Sequence, residues 1–212
     1  MKNDVEQIKF AIAGYGKMGK IREKSIMESD DAQLISIYEV VDHEYHDKNI
    51  ILCDSYEELL STDVDAVIVS AYVKVAADYV IRALNAGKHV FCEKPPSMTS
   101  KEMLEVIEAE KRTGKILKYG FNHRFHYSVM EAKKIISKGT LGKLLWLRGV
   151  YGKAGSIDFH DNWRNYKNYS GGGILMDQGI HMLDLFRYFS GDEFECLSSQ
   201  LSTSFWDIEC ED

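Results

Sequence analysis

The chain is poor in cysteine, has no surplus of basic charge and contains no long apolar run. Its 4 cysteines, Cys53, Cys92, Cys196 and Cys210, never fall in CxxC spacing, which argues against a disulfide framework or a thiolate zinc site and for reduced, packed thiols. The balance is 26 Lys+Arg against 33 Asp+Glu, a formal charge of -7, with no run of five basic residues. Nucleic acid and anionic membrane both require cationic surface to neutralise phosphate, so both are excluded as broad partners. The uncharged stretch Ala66 to Val73 falls far short of the roughly 20 apolar residues that a membrane span needs. Asp4 and Glu6 precede the first apolar segment, so no basic region leads into an apolar one as in a signal peptide, and the expected location is cytoplasmic. Internal repeats and low-complexity linkers are absent too. What is present is a globular composition, 45% hydrophobic and 11% aromatic over 212 residues, enough for one large domain or two small ones.

Through residue 120, short β-branched or apolar runs alternate with longer segments of helical period, the pattern of a parallel α/β sheet. The predicted strands are Ile8 to Ala13, Gln33 to Tyr38, Asp65 to Ala71, His89 to Cys92 and Ile116 to Gly120. Ser55 with Glu58, and Thr99 with Glu102, have capping-box spacing, while Gly87 and Gly114 stand where helices should stop. After Gly120 the pattern changes to a helix from about Tyr127 to Lys138, an aromatic and β-branched run Leu144 to Tyr151, a polar loop, a helix from about Ile174 to Phe189, and strand and turn material from Cys196 to Ile208. The fold class expected is α/β, with a dinucleotide-binding domain over 1–120 and a partial α+β domain over 121–212.

Directly after the first predicted strand comes Gly14-Tyr15-Gly16-Lys17-Met18-Gly19, a G-x-G-x-x-G turn that opens a helix. Gly14 permits the tight turn, Gly16 the approach of a pyrophosphate to backbone, and Gly19 close packing of helix on strand, with the helix N-terminus as the anion site. The next strand ends at Glu39, near the position of a ribose-binding acid. Glu39 would accept hydrogen bonds from the adenosine ribose and repel a 2′-phosphate, which predicts NAD over NADP. The bland reading is an ordinary strand-to-helix turn with a solvated glutamate; Asp42 is the competing acid, further past the strand.

The strand ending at Cys92 runs into Glu93-Lys94-Pro95-Pro96. Ligands of open α/β sheets bind beyond the carboxyl ends of strands, so Glu93 and Lys94 would face the nicotinamide end of a dinucleotide; a surface turn with one exposed ion pair fits the position equally well. Pro95 restricts Lys94 to extended geometry, and the bond between them could be cis. Further on, Asp177, His181 and Asp184 would share one face of an apolar helix interrupted by Gly179, a residue costing about 1 kcal/mol there against Ala. A histidine flanked by carboxylates can be oriented by one of them and take a proton near neutral pH, whereas the rival reading is a hydrogen-bonded core histidine. Metal catalysis is not expected: His43-Glu44-Tyr45-His46 is one residue short of H-E-x-x-H, and His123 with His126 lacks a third ligand.

Taken in order, Gly14-x-Gly16-x-x-Gly19, Phe91-Cys92-Glu93-Lys94-Pro95, Gly120-Phe121-Asn122-His123-Arg124-Phe125, Trp163-Arg164 and the run Gly171 to Asp184 resemble the Gfo/Idh/MocA oxidoreductases over nearly the whole chain. The resemblance implies a Rossmann domain joined to an α+β domain with a mostly antiparallel sheet, commonly used to form a homo-oligomer, a dimer or a tetramer. It also implies NAD as cofactor and a sugar, polyol or nucleotide sugar as substrate. By this resemblance Lys94, Asp177 and His181 are catalytic, and they contact substrate together with Trp163 and Arg164. Gly14, Gly16, Lys17, Met18, Gly19, Glu39, Ser70, Ala71, Tyr72, Glu93, Lys94, Asn122 and Arg124 would bind the cofactor. Asp158, His160, Asn162, Asn165 and Tyr166 lie in the same polar loop as Trp163 and suit a sugar, or are an ordinary loop.

Two departures from the family pattern stand out. Ser70-Ala71-Tyr72 replaces the proline and histidine that often follow the fourth strand, so that cofactor-contacting loop should differ. Family members continue past an acidic stretch like Glu209 to Asp212 with further strands, so the chain reads as ending early. Besides the dehydrogenase, a redox-assisted glycosidase that retains NAD and a nonenzymatic NAD-binding module are the alternative functions.

Overall fold

In a computed structural model, residues 7–41, 45, 47–152 and 162–212 are described. Asp42, His43, Glu44, His46, Asp158 and His160 lie outside them. The chain forms two compact units, one ending at Gly120 and one beginning at Phe121.

The first unit is a wholly parallel six-stranded sheet in the order β3-β2-β1-β4-β5-β6. Its strands are β1 Ile8–Ala13, β2 Ala32–Tyr38, β3 Ile51–Cys53, β4 Ala66–Val69, β5 His89–Cys92 and β6 Leu117–Tyr119. The connecting helices are α1 Lys17–Met27, α2 Tyr56–Ser61, α3 Val73–Asn85 and α4 Ser100–Thr113. Successive side chains of a strand point to opposite faces, and both faces are covered here. Val67 and Val69 join Val80, Leu84 and Val106 in one apolar cluster, while Ile68 joins Ile12, Ile37 and Ile26 in the other. That two-sided burial is why β4 reads as a continuous apolar run instead of an alternating one.

The five predicted strands are all present, and β3 is an addition. Three residues long, with Ile51 and Leu52 exposed at the sheet edge, it carries too short a pattern to register in the sequence. Both capping boxes form: Ser55 Oγ accepts from Glu58 N at 3.1 Å and Thr99 Oγ1 from Glu102 N at 3.2 Å. Gly87 follows α3, and Gly114 caps α4 in the left-handed conformation.

The second unit contains a 3₁₀ turn Asn122–Phe125, α5 Tyr127–Ser137, a second 3₁₀ turn Trp163–Asn165, α6 Lys167–Ser170, a π-helical turn Leu175–Gly179 and α7 Ile180–Ser190. Two expectations differ from what is seen here. Among the described residues this unit has no strand, so the expected antiparallel sheet is not seen among them: Leu144 to Tyr151 and Cys196 to Ile208 have strand-like composition but no paired neighbour among the described residues. A strand exists only through its ladder of hydrogen bonds, and composition alone cannot supply the partner. The single α-helix expected from Ile174 is instead a π turn followed by an α-helix, the wider turn closing at Gly179, where a Cβ would lie 2.7 Å from Leu175 Cδ1.

Candidate functional site

In the first unit the glycine-rich turn is built by close approach. Gly14 has φ +91°, and a Cβ on it would sit 2.6 Å from the backbone of Ser70 and Ala71. At Gly19 a Cβ would lie 2.3 Å from the Gly14 carbonyl oxygen, so only glycine lets α1 lie this near the turn. Ser70 Oγ adds a hydrogen bond to that same oxygen at 2.5 Å, fixing the turn to the end of β4. Gly16 is different: it is the N-cap of α1 and nothing lies within 4 Å of where its Cβ would be. The first helical N–H groups receive no side-chain cap and no acidic residue stands in the first turn, which suits an anion. Lys17 and Met18 form that first turn, and Tyr72 is the N-cap of α3 beyond Ser70 and Ala71.

Glu39, one residue beyond β2, folds onto this turn. One carboxylate oxygen accepts from Tyr15 N at 2.5 Å, and the other accepts from Val40 N at 2.7 Å and Val41 N at 3.3 Å. The backbone thus aims the acid at the glycine turn. Beside it, Glu23 of α1 accepts from both the Tyr15 and Tyr45 hydroxyls, whose rings meet edge to face at 5.5 Å. Burial, followed by the hydrogen bond to Glu23, raises both phenols far above their ordinary range, so they remain donors.

At the end of β5, Glu93, expected to bind the cofactor, has its carboxylate engaged by Arg22 instead, and Lys94 joins Pro95 through a cis bond. Spacing gives no hint of Arg22, because 71 residues separate the partners.

In the second unit His181 is buried at 4% exposure. The ring of His123 meets it edge-on with centroids 3.8 Å apart, Phe121 lies at 6.2 Å, and Tyr151 stacks at 6.4 Å. His123 and Tyr151 were not legible as neighbours, since only the fold joins the turn after residue 120 to α7. Asp177 lies in the π turn. Its carboxylate accepts from Arg164 Nε at 3.4 Å and Gln178 Nε2 at 2.7 Å, and the Arg164 guanidinium lies 4.4 Å over the Trp163 ring. A cavity of about 260 Å³ in this unit is lined by Asn162, Arg164, Asp177, Trp206 and Glu211.

Asp177 and Asp184 each hold an arginine. Asp184, buried, takes both arms of the Arg124 fork at 2.5 and 2.7 Å. Arg124, expected at the cofactor, is engaged in this ion pair, which accounts for the buried acid. Asn122, itself exposed, opens the 3₁₀ turn two residues before it. Among the described residues no three His, Cys, Asp or Glu side chains gather as a metal site, and no helix is long and apolar enough to cross a membrane.

A parallel sheet with β1, a glycine turn opening α1 and an acid after β2 defines the class of dinucleotide-binding Rossmann units. Residues 8–121 match the oxidoreductase family with an NAD-binding Rossmann fold, and residues 129–212 match the GFO/IDH/MocA C-terminal domain. The chain belongs to the Gfo/Idh/MocA oxidoreductase family. It is 32% identical over 194 residues to myo-inositol 2-dehydrogenase of Thermotoga maritima, which covers 89% of this chain and 56% of that protein. D-glucoside 3-dehydrogenase of Escherichia coli is 33% identical over 155 residues, covering 73% of this chain and 43% of that protein. Among solved structures, myo-inositol 2-dehydrogenase from Lactobacillus plantarum superposes with a TM-score of 0.76 at 27% identity, over 88% of this chain and 57% of that one. The chain spans about half the length of the curated relatives it matches.

Proposed function

We propose that the protein transfers a hydride between a secondary hydroxyl of a sugar, polyol or nucleotide sugar and NAD. The observation that carries this reading is the glycine turn: Gly16 leaves open space at an uncapped helix N-terminus while Glu39 is aimed at the same turn. A dinucleotide pyrophosphate fits the first feature and a ribose without a 2′-phosphate fits the second. Relatives named as dehydrogenases of inositol and glucosides support this over a glycosidase or a nonenzymatic module.

Gly14, Gly16, Lys17, Met18 and Gly19 would hold the pyrophosphate, Glu39 the adenosine ribose, and Ser70, Ala71, Tyr72 and Asn122 would flank the cofactor. When bound, NAD supplies the hydride acceptor. His181 takes the proton of the substrate hydroxyl. Lys94 orients that oxygen and supports the negative charge that develops on it. Asp177, Trp163 and Arg164 bind further hydroxyls and a sugar face. Residence in the cytoplasm and assembly of the second unit into a homo-oligomer belong to the same reading, and light scattering on the purified protein tests the latter.

Titration with NADH and NADPH, followed by nicotinamide fluorescence, is the direct test. Saturable binding that favours NADH is expected, and Glu39→Ala should reduce the preference at least tenfold. A Glu39→Ala variant that keeps its full preference would remove Glu39 from the reading; a chain that binds neither nucleotide would remove the reading itself.

A further inference from the structure

We propose that Arg22 is a positioning residue of the cofactor site, acting through Glu93: the pair holds the Glu93 carboxylate neutralised and away from the dinucleotide while tying the helix of the glycine turn to the strand end that carries Lys94. This rests on the proposed NAD-dependent function.

The geometry is specific. Arg22 lies three residues past Gly19 on α1, and its Nε and Nη2 both donate to Glu93 Oε1, at 2.8 and 2.5 Å. The guanidinium sits 4.7 Å over the ring of Phe91. Phe91 and Glu93 are two residues apart, so an extended strand presents them on one face, and the arginine lies along that face of β5. The second carboxylate oxygen lies against Gly120. A Cβ on Gly120 would lie 2.7 Å from Glu93 Oε2, so the acid packs directly against the glycine that follows β6. Glu93 N also donates to Val69 O at 2.8 Å, and Gly120 N to Cys92 O at 2.8 Å. The peptide leading into Lys94 is thereby fixed by backbone on β4 and by side chain on α1.

Burial makes the charge balance matter. The side chains of Arg22 and Glu93 are 21% and 12% exposed, so a carboxylate left without its arginine has little water to solvate it. It would stand at the carboxyl ends of the strands, the edge on which Gly14 and Ser70 also lie and where an anionic pyrophosphate is expected. An unneutralised acid there repels the ligand and is free to turn from Gly120. Exchanging both partners for neutral glutamine, Arg22→Gln together with Glu93→Gln, would restore the charge balance without the ion pair. A glutamate that itself bound the cofactor would behave oppositely, because its removal would cost contacts whatever residue occupies position 22.

The experiment compares NADH dissociation constants of the wild-type chain, Arg22→Gln and the double variant Arg22→Gln/Glu93→Gln by fluorescence titration at low salt, well below each thermal midpoint. Arg22→Gln should bind NADH at least tenfold more weakly, and the double variant should return to within threefold of wild type. A purely structural pair would lower the midpoint of Arg22→Gln and leave the affinity of its folded form unchanged, which overturns the proposal. A double variant weaker than Arg22→Gln overturns it too and assigns the Glu93 carboxylate to the dinucleotide. If neither variant gives a cooperative unfolding transition, the pair serves folding and the proposal fails. A wild-type chain that does not bind NADH brings down the proposed function with it, whereas wild-type binding matched by Arg22→Gln brings down only the role of Arg22.

Discussion

In β4 the four residues from Ala66 to Val69 are all buried, whereas Leu145, Trp146 and Val150, in a run of equally strand-like composition, are 83%, 74% and 82% exposed. The difference lies in neighbours. β4 is paired on both sides, by β1 and β5, and covered on both faces by helices, so each apolar side chain has somewhere to go. Among the described residues the run in the second unit has no hydrogen-bonded partner strand. Propensity nominates a strand, and pairing makes one. The candidate site residues divide along similar lines: the glycine turn, Glu39 and Lys94 stand on the sheet's carboxyl edge in the first unit, and the buried histidine stands on α7 in the second.

The sharpest test of that division is His181→Ala. Positioned acid–base groups contribute about 10² to 10⁴ in rate, so turnover should fall by that order with NADH affinity little changed, as steady-state kinetics beside a binding titration would read. Equal loss of both would make the histidine part of the cofactor site and erase the distinction.

Stability should separate the units next. Leu84 is fully buried, and Leu84→Ala should cost roughly 2–5 kcal/mol in chemical denaturation. Leu145→Ala, at an exposed position, should stay within about 0.5 kcal/mol. A large cost at Leu145 would mean that the second unit's apolar run is covered in solution.

Within the first unit, Gly19→Ala should destabilise by roughly 1–3 kcal/mol, because its Cβ meets the Gly14 carbonyl. Gly16→Ala has open space and should weaken NADH binding with little change in the thermal midpoint. Similar midpoints for the two variants would contradict the close packing of α1 on the turn.

The smallest effect concerns the thiols. Burial, with Glu58 adding to it, pushes Cys53 up to about 11, and burial carries Cys92 higher still. A raised thiol pKa means that the reactive thiolate is scarce below it, at pH 8 roughly one part in a thousand for Cys53. A chromogenic disulfide at pH 8 should therefore react quickly with exposed Cys196 and with Cys53 and Cys92 only after unfolding. Rapid reaction of Cys53 or Cys92 would show that the first unit opens more readily than its packing implies.

Much of the first unit is written in local pattern. Apolar runs at the right spacing, Ser55 and Thr99 with their glutamates, and three glycines after β1 each act within one turn of chain, so the sequence by itself determined the parallel α/β arrangement, the glycine turn and the acid after β2. Lys94 and His181 were visible as singular residues at a strand end and on an apolar helix. What surrounds them was decided by tertiary structure. Arg22 reaches Glu93 across 71 positions, Arg124 reaches Asp184 across 60, and His123 meets His181 only because the fold brings the turn after Phe121 against α7. Such pairings carry no periodicity, because they depend on distances between elements and not along them. A helical period of 3.6 likewise predicts one continuous helix through Asp177 and His181, whereas the chain widens into a π turn over Leu175–Gly179 before α7 begins.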